Sequence, residues 1–349
     1  MRKVFLFLVS LIIGLAVFGL ATSKVGFNDI AEAFSSFSLR GLAVILSLTG
    51  LIALAGTWRL KFILKTQGHD LSFLKLIEVW LTGFAISYLT PIAIFGGEVF
   101  MIYSLRRFFP LSWEKSSASV FIHRVLDATV FFPLLVLGVF IFSILAGSLP
   151  ATKIMIVGGV VAGILIFLLA VFYMKCFKKE STLEWFLKLF GMSRKKLAER
   201  EGGRLILGAE KEIVGFFDFR KKEMWQGLGI SLVKYFLIVV RCWLLIYFFQ
   251  GGLNISNALS AYGFFNLATL VPVPAMLGSL EVAEGLVFSG LGLGANIGLA
   301  FSFVLRAMDI LLCLLGLILL VKFGMRLIKM RVIEIIDKIV FNKNSLFIG

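Results

Sequence analysis

Long apolar runs separated by short polar intervals set the rhythm of this chain. Runs of about 18 residues or more fall at 4–21, 41–60, 117–146, 152–173, 226–249 and 296–321. A helix of roughly 20 apolar residues crosses ~30 Å of hydrocarbon, so each run predicts a membrane span. Two further apolar regions, 74–105 and 256–290, are interrupted. The first contains TPIAIFGGEVF over 90–100, with Pro91, Gly96 and Gly97; the second contains VPVPAMLGSLE over 271–281, with Pro272, Pro274 and Gly278. Proline ends helices and glycine tolerates irregular backbone. These two regions therefore predict re-entrant hairpins rather than simple spans. The expected fold is an all-α polytopic membrane protein with about six full spans and two such hairpins.

The polar residues inside these apolar regions repeat. Pro91 is followed seven residues on by Glu98, then by Arg124 and Asp127; Pro274 is followed seven residues on by Glu281, then by Arg306 and Asp309. Glu to Arg is 26 residues in one copy and 25 in the other. In both, Arg and Asp stand at i, i+3, on one face of a long apolar helix. Counting spans starts the two copies on opposite sides of the membrane, which predicts an inverted repeat. The first half is 1–147, with a hairpin entering from the cytoplasm. The second has its first span in 148–174, a basic linker with amphipathic helices over 175–225, and its remainder, with the outer hairpin, over 226–325. A basic tail over 326–349 follows. Inverted repeats whose broken helices meet near the midplane are a construction plan of secondary transporters. Irregular backbone at that depth is tolerable only where protein or a water-filled cavity covers it.

Composition removes the soluble alternative: 60% of the 349 residues are hydrophobic, 16% are charged, and the mean hydropathy is +1.00. Soluble domains average about 45–50% apolar and about 25% charged. A net charge of +15 would suit nucleic acid, but its distribution reads differently. With both hairpins re-entrant, 28 of the 35 Lys and Arg fall on one side. The positive-inside rule makes that side the cytoplasm and puts both termini there, in a plasma membrane. The expected partner is anionic membrane lipid, with no nucleic acid. Cys176, Cys242 and Cys313 show no paired spacing and only His69 and His123 are present, so no disulfide framework, metal site or cofactor is expected. Residues 1–21 have the outline of a secretory signal, but the apolar run exceeds a usual signal core, and an uncleaved first span is expected.

LTPIAIFGGEVFMIYSLRR, followed by FIHRVLDATV and later VPVPAMLGSLEVAEGLVF, resembles the lysylphosphatidylglycerol synthase transmembrane family, also called the flippase-like domain. The likeness runs from about residue 4 to 325 and rests on the TP…GGE segment, the R-x-x-D helix and the P-x-P…G…E segment. It implies a membrane unit that moves lipids between leaflets, here without the aminoacyl transferase domain of multidomain relatives. One departure is Leu277-Gly278-Ser279, where more glycine is common in the family.

Arg124 and Arg306 fall near mid-span, where a central Arg or Asp costs about 2.5–3.5 kcal/mol on insertion scales. Two readings stand open. Each arginine pairs with its own Asp127 or Asp309 and ties helices together; or each guanidinium binds an anionic headgroup, with the Asp orienting it. Glu98 and Glu281 read as gating or proton-carrying carboxylates, or as partners of the arginines across the repeat interface. Glu284 shares a helical face with Glu281. Arg241 reads as lining the cavity, Lys234 as snorkelling to an interface. The linker reads as a solvated connector with its apolar face on lipid, or as a docking surface for a cytosolic partner. The functional expectation is a translocase for an anionic phospholipid or a lipid-linked phosphate carrier, and not an enzyme. The alternative is a membrane enzyme or enzyme subunit acting on lipid-linked substrates. Against it, the sequence contains no Asp-rich metal cluster, nucleophile elbow or phosphate-cradling loop. The sequence leaves the oligomeric state open.

Overall fold

A computed structural model describes residues 2–35, 37–90, 96–147, 153–181, 183–184, 199, 201–252 and 254–344. Pro91 and most of 185–200, with the first amphipathic segment expected in the linker, lie outside the described residues. The described chain is helical throughout, with no strand. In order come α1 (Arg2–Val25), α2 (Phe27–Ser35), α3 (Leu39–Thr66), α4 (Phe73–Leu89), α5 (Gly96–Phe108), α6 (Trp113–Ala146), α7 (Lys153–Phe177), α8 (Glu201–Phe216), α9 (Lys222–Gln250), α10 (Ile255–Thr269), α11 (Ser279–Gly290) and α12 (Ala295–Asn344). Within them α3, α6, α7, α9 and α12 are long and apolar enough to cross a membrane, and α1 adds a shorter apolar stretch over Leu15–Val25. The protein is a polytopic all-α membrane protein.

Local chemistry sets the ends. Ser38 and Ser112 cap α3 and α6 by accepting from the backbone N–H groups of Gly41 (3.1 Å) and Lys115 (3.3 Å), which satisfies donors that the first helical turn leaves free. Gly147 and Gly251 close α6 and α9 in the left-handed conformation, with φ of 69° and 72°, where a Cβ would be strained. Leu137, Phe140 and Ile144 on α6, Phe236 on α9 and Ile318 and Val321 on α12 are exposed. They form an apolar outer surface suited to lipid.

Both Pro/Gly-interrupted regions fold as pairs of short helices. The arms α4 and α5 have 17 and 13 residues, and α10 and α11 have 15 and 12. At 1.5 Å per residue they measure about 18–26 Å, short of the ~30 Å a lone span requires. The first pair is antiparallel: Ser87 accepts from the Gly97 N–H at 2.9 Å, while Gly83 lies against Met101. A Cβ on Gly97 would run into the Gly83 carbonyl, so this close approach depends on glycine.

The two halves interlock. The arm α10 packs on α6 and the arm α4 packs on α12, so each pair of short helices lies against the last long helix of the other half. Small residues permit both contacts. A Cβ on Gly138 (α6) would stand 2.8 Å from the Gly263 Cα (α10), and one on Gly316 (α12) would stand 2.7 Å from the Ala85 Cβ (α4). This is the small-residue packing by which helices associate in lipid, where no hydrophobic drive holds them together. Helices α3 and α9 form an antiparallel seam through the middle: Gly41 meets Phe248, Thr49 meets Arg241, and Arg59 meets Ser231.

The linker helix α8 corrects one expectation. Its apolar face turns onto protein rather than lipid. Ala209, Phe216 and Phe217 are buried, and Phe217 meets the Phe172 ring of α7 edge-on at 5.2 Å. Burying one such phenylalanine stabilises by about 1.5–3 kcal/mol. Ile206, three residues before Ala209, is exposed.

Candidate functional site

Two polar centres lie along the α3–α9 seam. The first is built around Arg59, which stands near the end of the 41–60 apolar run and is fully buried. Its guanidinium holds both carboxylate oxygens of Asp127 (2.8 and 2.6 Å), donates to Ser231 Oγ (2.9 Å), and donates from Nε to His123 Nδ1 (3.2 Å). Lys234 Nζ donates to the same Asp127 at 2.8 Å. Lys234 therefore does not snorkel; its side chain is 12% exposed and points inward. One aspartate thus joins α3, α6 and α9 through a fork-to-fork pair, the strongest geometry available to an arginine and a carboxylate.

The pairing of Arg124 with its own Asp127 does not occur. The two residues stand one turn apart, but Asp127 faces α3 and α9 while Arg124 reaches to α5 and pairs with Glu98. The Arg124 side chain stays 35% exposed. Among the described residues, its Nε and the second oxygen of Glu98 have no hydrogen-bond partner.

The second centre uses the same types of residue. Arg306 on α12 pairs with Glu281 at the start of α11, not with Asp309. It also donates to the backbone carbonyls of Ala275 (2.5 Å) and Met276 (3.2 Å). Those carbonyls belong to the break between α10 and α11, where Ala275 and Met276 adopt left-handed φ values of 51° and 54°. Such backbone is costly for residues with a Cβ and leaves carbonyls without helical partners. Arg306 supplies them. Glu281 completes the turn by accepting from the Gly278 N–H at 2.9 Å. Pro274 is buried at this break and Pro272 is exposed. Asp309 lies 3.9 Å from Arg241, which donates to Thr49 Oγ1 at 3.2 Å.

Each half is therefore wired alike. A glutamate at the start of the second short helix holds an arginine of the last long helix (Glu98–Arg124, Glu281–Arg306). An arginine from the α3–α9 seam faces the aspartate one turn further on (Arg59–Asp127, Arg241–Asp309). Arg59 precedes Asp127 by 68 residues and Arg241 precedes Asp309 by 68; that equality was the signal for Arg59 in the sequence. Thr49 and Arg59 are ten residues apart on α3, so the two centres sit about 15 Å apart along it.

The remaining candidates are committed elsewhere. His69, in the loop before α4, lies 3.3 Å from Lys115 Nζ. Burial and then this ammonium hold its imidazole below the ordinary histidine range. Cys176, Cys242 and Cys313 are buried and are not joined in disulfides. Among the described residues, no three His, Cys, Asp or Glu side chains gather as metal ligands would.

The sequence model of the lysylphosphatidylglycerol synthase transmembrane region matches residues 7–316, which include both short-helix pairs and both polar centres. The chain belongs to the lysylphosphatidylglycerol synthase transmembrane family. A UPF0104 membrane protein of Methanocaldococcus jannaschii is similar to it, 23% identical over 282 residues, covering 78% of this chain and 80% of that protein. The four ion pairs lie on α3, α5, α6, α9, α11 and α12, and all eight residues lie inside the matched range.

Proposed function

We propose that this family member moves an anionic lipid, either a phospholipid or a lipid-linked phosphate carrier, between leaflets, and that Arg124 contacts the headgroup. One observation carries the assignment of Arg124. Side chains of Arg59, Arg241 and Arg306 are 0%, 6% and 9% exposed, whereas that of Arg124 is 35% exposed and its one partner among the described residues is Glu98. A phosphate has two or three oxygens to offer a planar guanidinium and can displace a single carboxylate contact. Arg306, by contrast, is occupied with the backbone break and serves to shape it. The interlocked halves suit movement of one half against the other about a fixed polar centre, with both short-helix pairs re-entrant. We read the protein as a transporter and not an enzyme, with both termini in the cytoplasm of a plasma-membrane protein.

The translocation test uses purified protein in liposomes carrying a trace of headgroup-labelled lipid and an impermeant quencher. Protein-dependent exposure of inner-leaflet label is expected for an anionic lipid and much less for a zwitterionic one. Equal rates for both lipids, or a rate no faster than protein-free liposomes, would refute the reading.

Orientation has its own test. Single cysteines at Lys65 and Phe109 should react with an impermeant thiol reagent from the cytoplasmic face, and those at Gly252 and Gly292 from the outer face. The three native cysteines are buried, so background labelling should be slow. Labelling of Phe109→Cys from outside would mean that the first short-helix pair crosses the membrane.

A further inference from the structure

The five acids of the polar interior are not equivalent. Glu98, Asp127, Glu281 and Asp309 each face a base. Glu284, on α11 one turn after Glu281, is fully buried, and neither of its carboxyl oxygens has a partner among the described residues. Its helix neighbours Leu280, Ala283, Val287 and Phe288 are buried and apolar. The backbone of α12 presses close: a Cβ on Gly298 would stand 2.9 Å from the Glu284 carbonyl carbon. An ionised carboxylate in such packing, with neither base nor donor, costs far more than a folded protein can absorb. The acid therefore calls for a ligand, and one that fits a closed apolar niche without added volume is a proton.

We propose that Glu284 is a proton-binding site, loaded in the packed arrangement described above and discharged when the second half rearranges, so that translocation is coupled to protons. The proposal rests on the translocase reading for its consequence, though not for the site itself. Among the described residues, the charged and titratable groups around α11 are few. On α12 they are Arg306, committed to Glu281, and Asp309; on α10 there is Tyr262; on α11 itself, Glu281. From α1 come Lys24, which is exposed, and Arg2 and Lys3, whose side chains lie outside the described set. From α9 the same interior receives Arg241 and Cys242, and Cys242 lies within electrostatic reach of Arg241, Glu284 and Asp309. Arg241 is loosely held, with its Nε unpartnered among the described residues and Asp309 at 3.9 Å. It is the base to which a discharged Glu284 could turn. The step balances simply: the carboxyl O–H bond breaks, the proton leaves to water, and the new carboxylate gains the Arg241 donor that neutral Glu284 did not need.

Two measurements test this. The first uses dicyclohexylcarbodiimide, an apolar reagent that modifies protonated carboxyls, on the unaltered protein in liposomes, read by peptide mass. An adduct at Glu284, formed faster at acid than at alkaline pH, is expected; absence of that adduct at acid pH overturns the proposal. The second compares translocation of labelled anionic lipid with and without an imposed gradient of one pH unit. Coupling of one proton per cycle allows the wild-type rate ratio to reach about tenfold, and in Glu284→Gln the ratio should fall to one. A Glu284→Gln protein that answers the gradient as wild type does would overturn the coupling. Should that variant not fold, the carbodiimide result on the unaltered chain still decides the site. Adduct formation by treated protein, with no lipid movement by the untreated wild type, would sink the translocase reading and leave the proton site standing.

Discussion

Arg59→Ala should be the most damaging single substitution in the membrane interior. It removes a guanidinium that satisfies Asp127, Ser231 and His123 at once, and it leaves Asp127 with Lys234 as its remaining base. Breaking a buried pair by deleting one partner costs about 3–5 kcal/mol, a large share of the usual net stability of a domain. Expression in the membrane and Tm in detergent should both fall sharply. Arg59→Lys should rescue little, because an ammonium cannot make the two parallel bonds to the carboxylate. Replacing the whole triad with apolar residues, as Arg59→Met/Asp127→Leu/Lys234→Met, should recover most of the lost Tm, since the penalty lies in stranded charge rather than in missing volume. An Arg59→Ala protein that melts with wild type would show that the triad holds nothing together.

The second large effect should be on transport and not on stability. Arg124→Gln/Glu98→Gln removes both charges of this half-buried pair while keeping two side chains that can hydrogen-bond each other. The double variant should fold, with Tm close to wild type, because no charge is left unpaired. Its translocation of labelled anionic lipid should drop by at least about tenfold, equivalent to ~1.4 kcal/mol of lost headgroup binding. Arg124→Lys should fall between the two, having charge without the planar fork. Arg306→Gln should behave in the opposite manner: it takes the donor from the Ala275 carbonyl and leaves that of Met276 with the Ser279 hydroxyl alone, and should lower Tm first. Normal translocation by the stable Arg124→Gln/Glu98→Gln protein would make this pair a helix tie and nothing more.

The apolar runs were enough to place five of the six expected spans, because length and hydropathy are what a bilayer selects; of the run at 4–21, the described residues show only a shorter apolar stretch over Leu15–Val25. The interrupted regions were legible for the same reason: Pro and Gly have few uses inside an apolar segment. Ion-pair partners were legible only in part. Spacing of i, i+3 put Arg124 beside Asp127 and Arg306 beside Asp309, but neighbours on a helix surface splay toward different helices: α5 and α11 claim the arginines, and α3 and α9 claim the aspartates. Arg59 was hidden by its position. At the edge of an apolar run, a base reads as a topology signal, and only its distance from Asp127, matched by that of Arg241 from Asp309, distinguishes it. The seat of α8 on α6 and α7 was equally closed to inspection, since an amphipathic face states that something apolar covers it without saying whether that is lipid or protein.

The interlocking of the halves has a consequence for how the protein is made. Helix α4 rests on α12 through Gly316, and some 200 residues of chain separate them. At about 5–20 residues per second of synthesis, α4 and α5 wait roughly 10–40 s in the membrane before their seat exists. During that interval the start of α5 at Gly96 and Gly97 and the ionisable Glu98 have only the first half for shelter. The nascent chain should therefore be a client of membrane chaperones until α12 is inserted, and ribosome-bound intermediates ending before residue 295 should be selectively degraded when released.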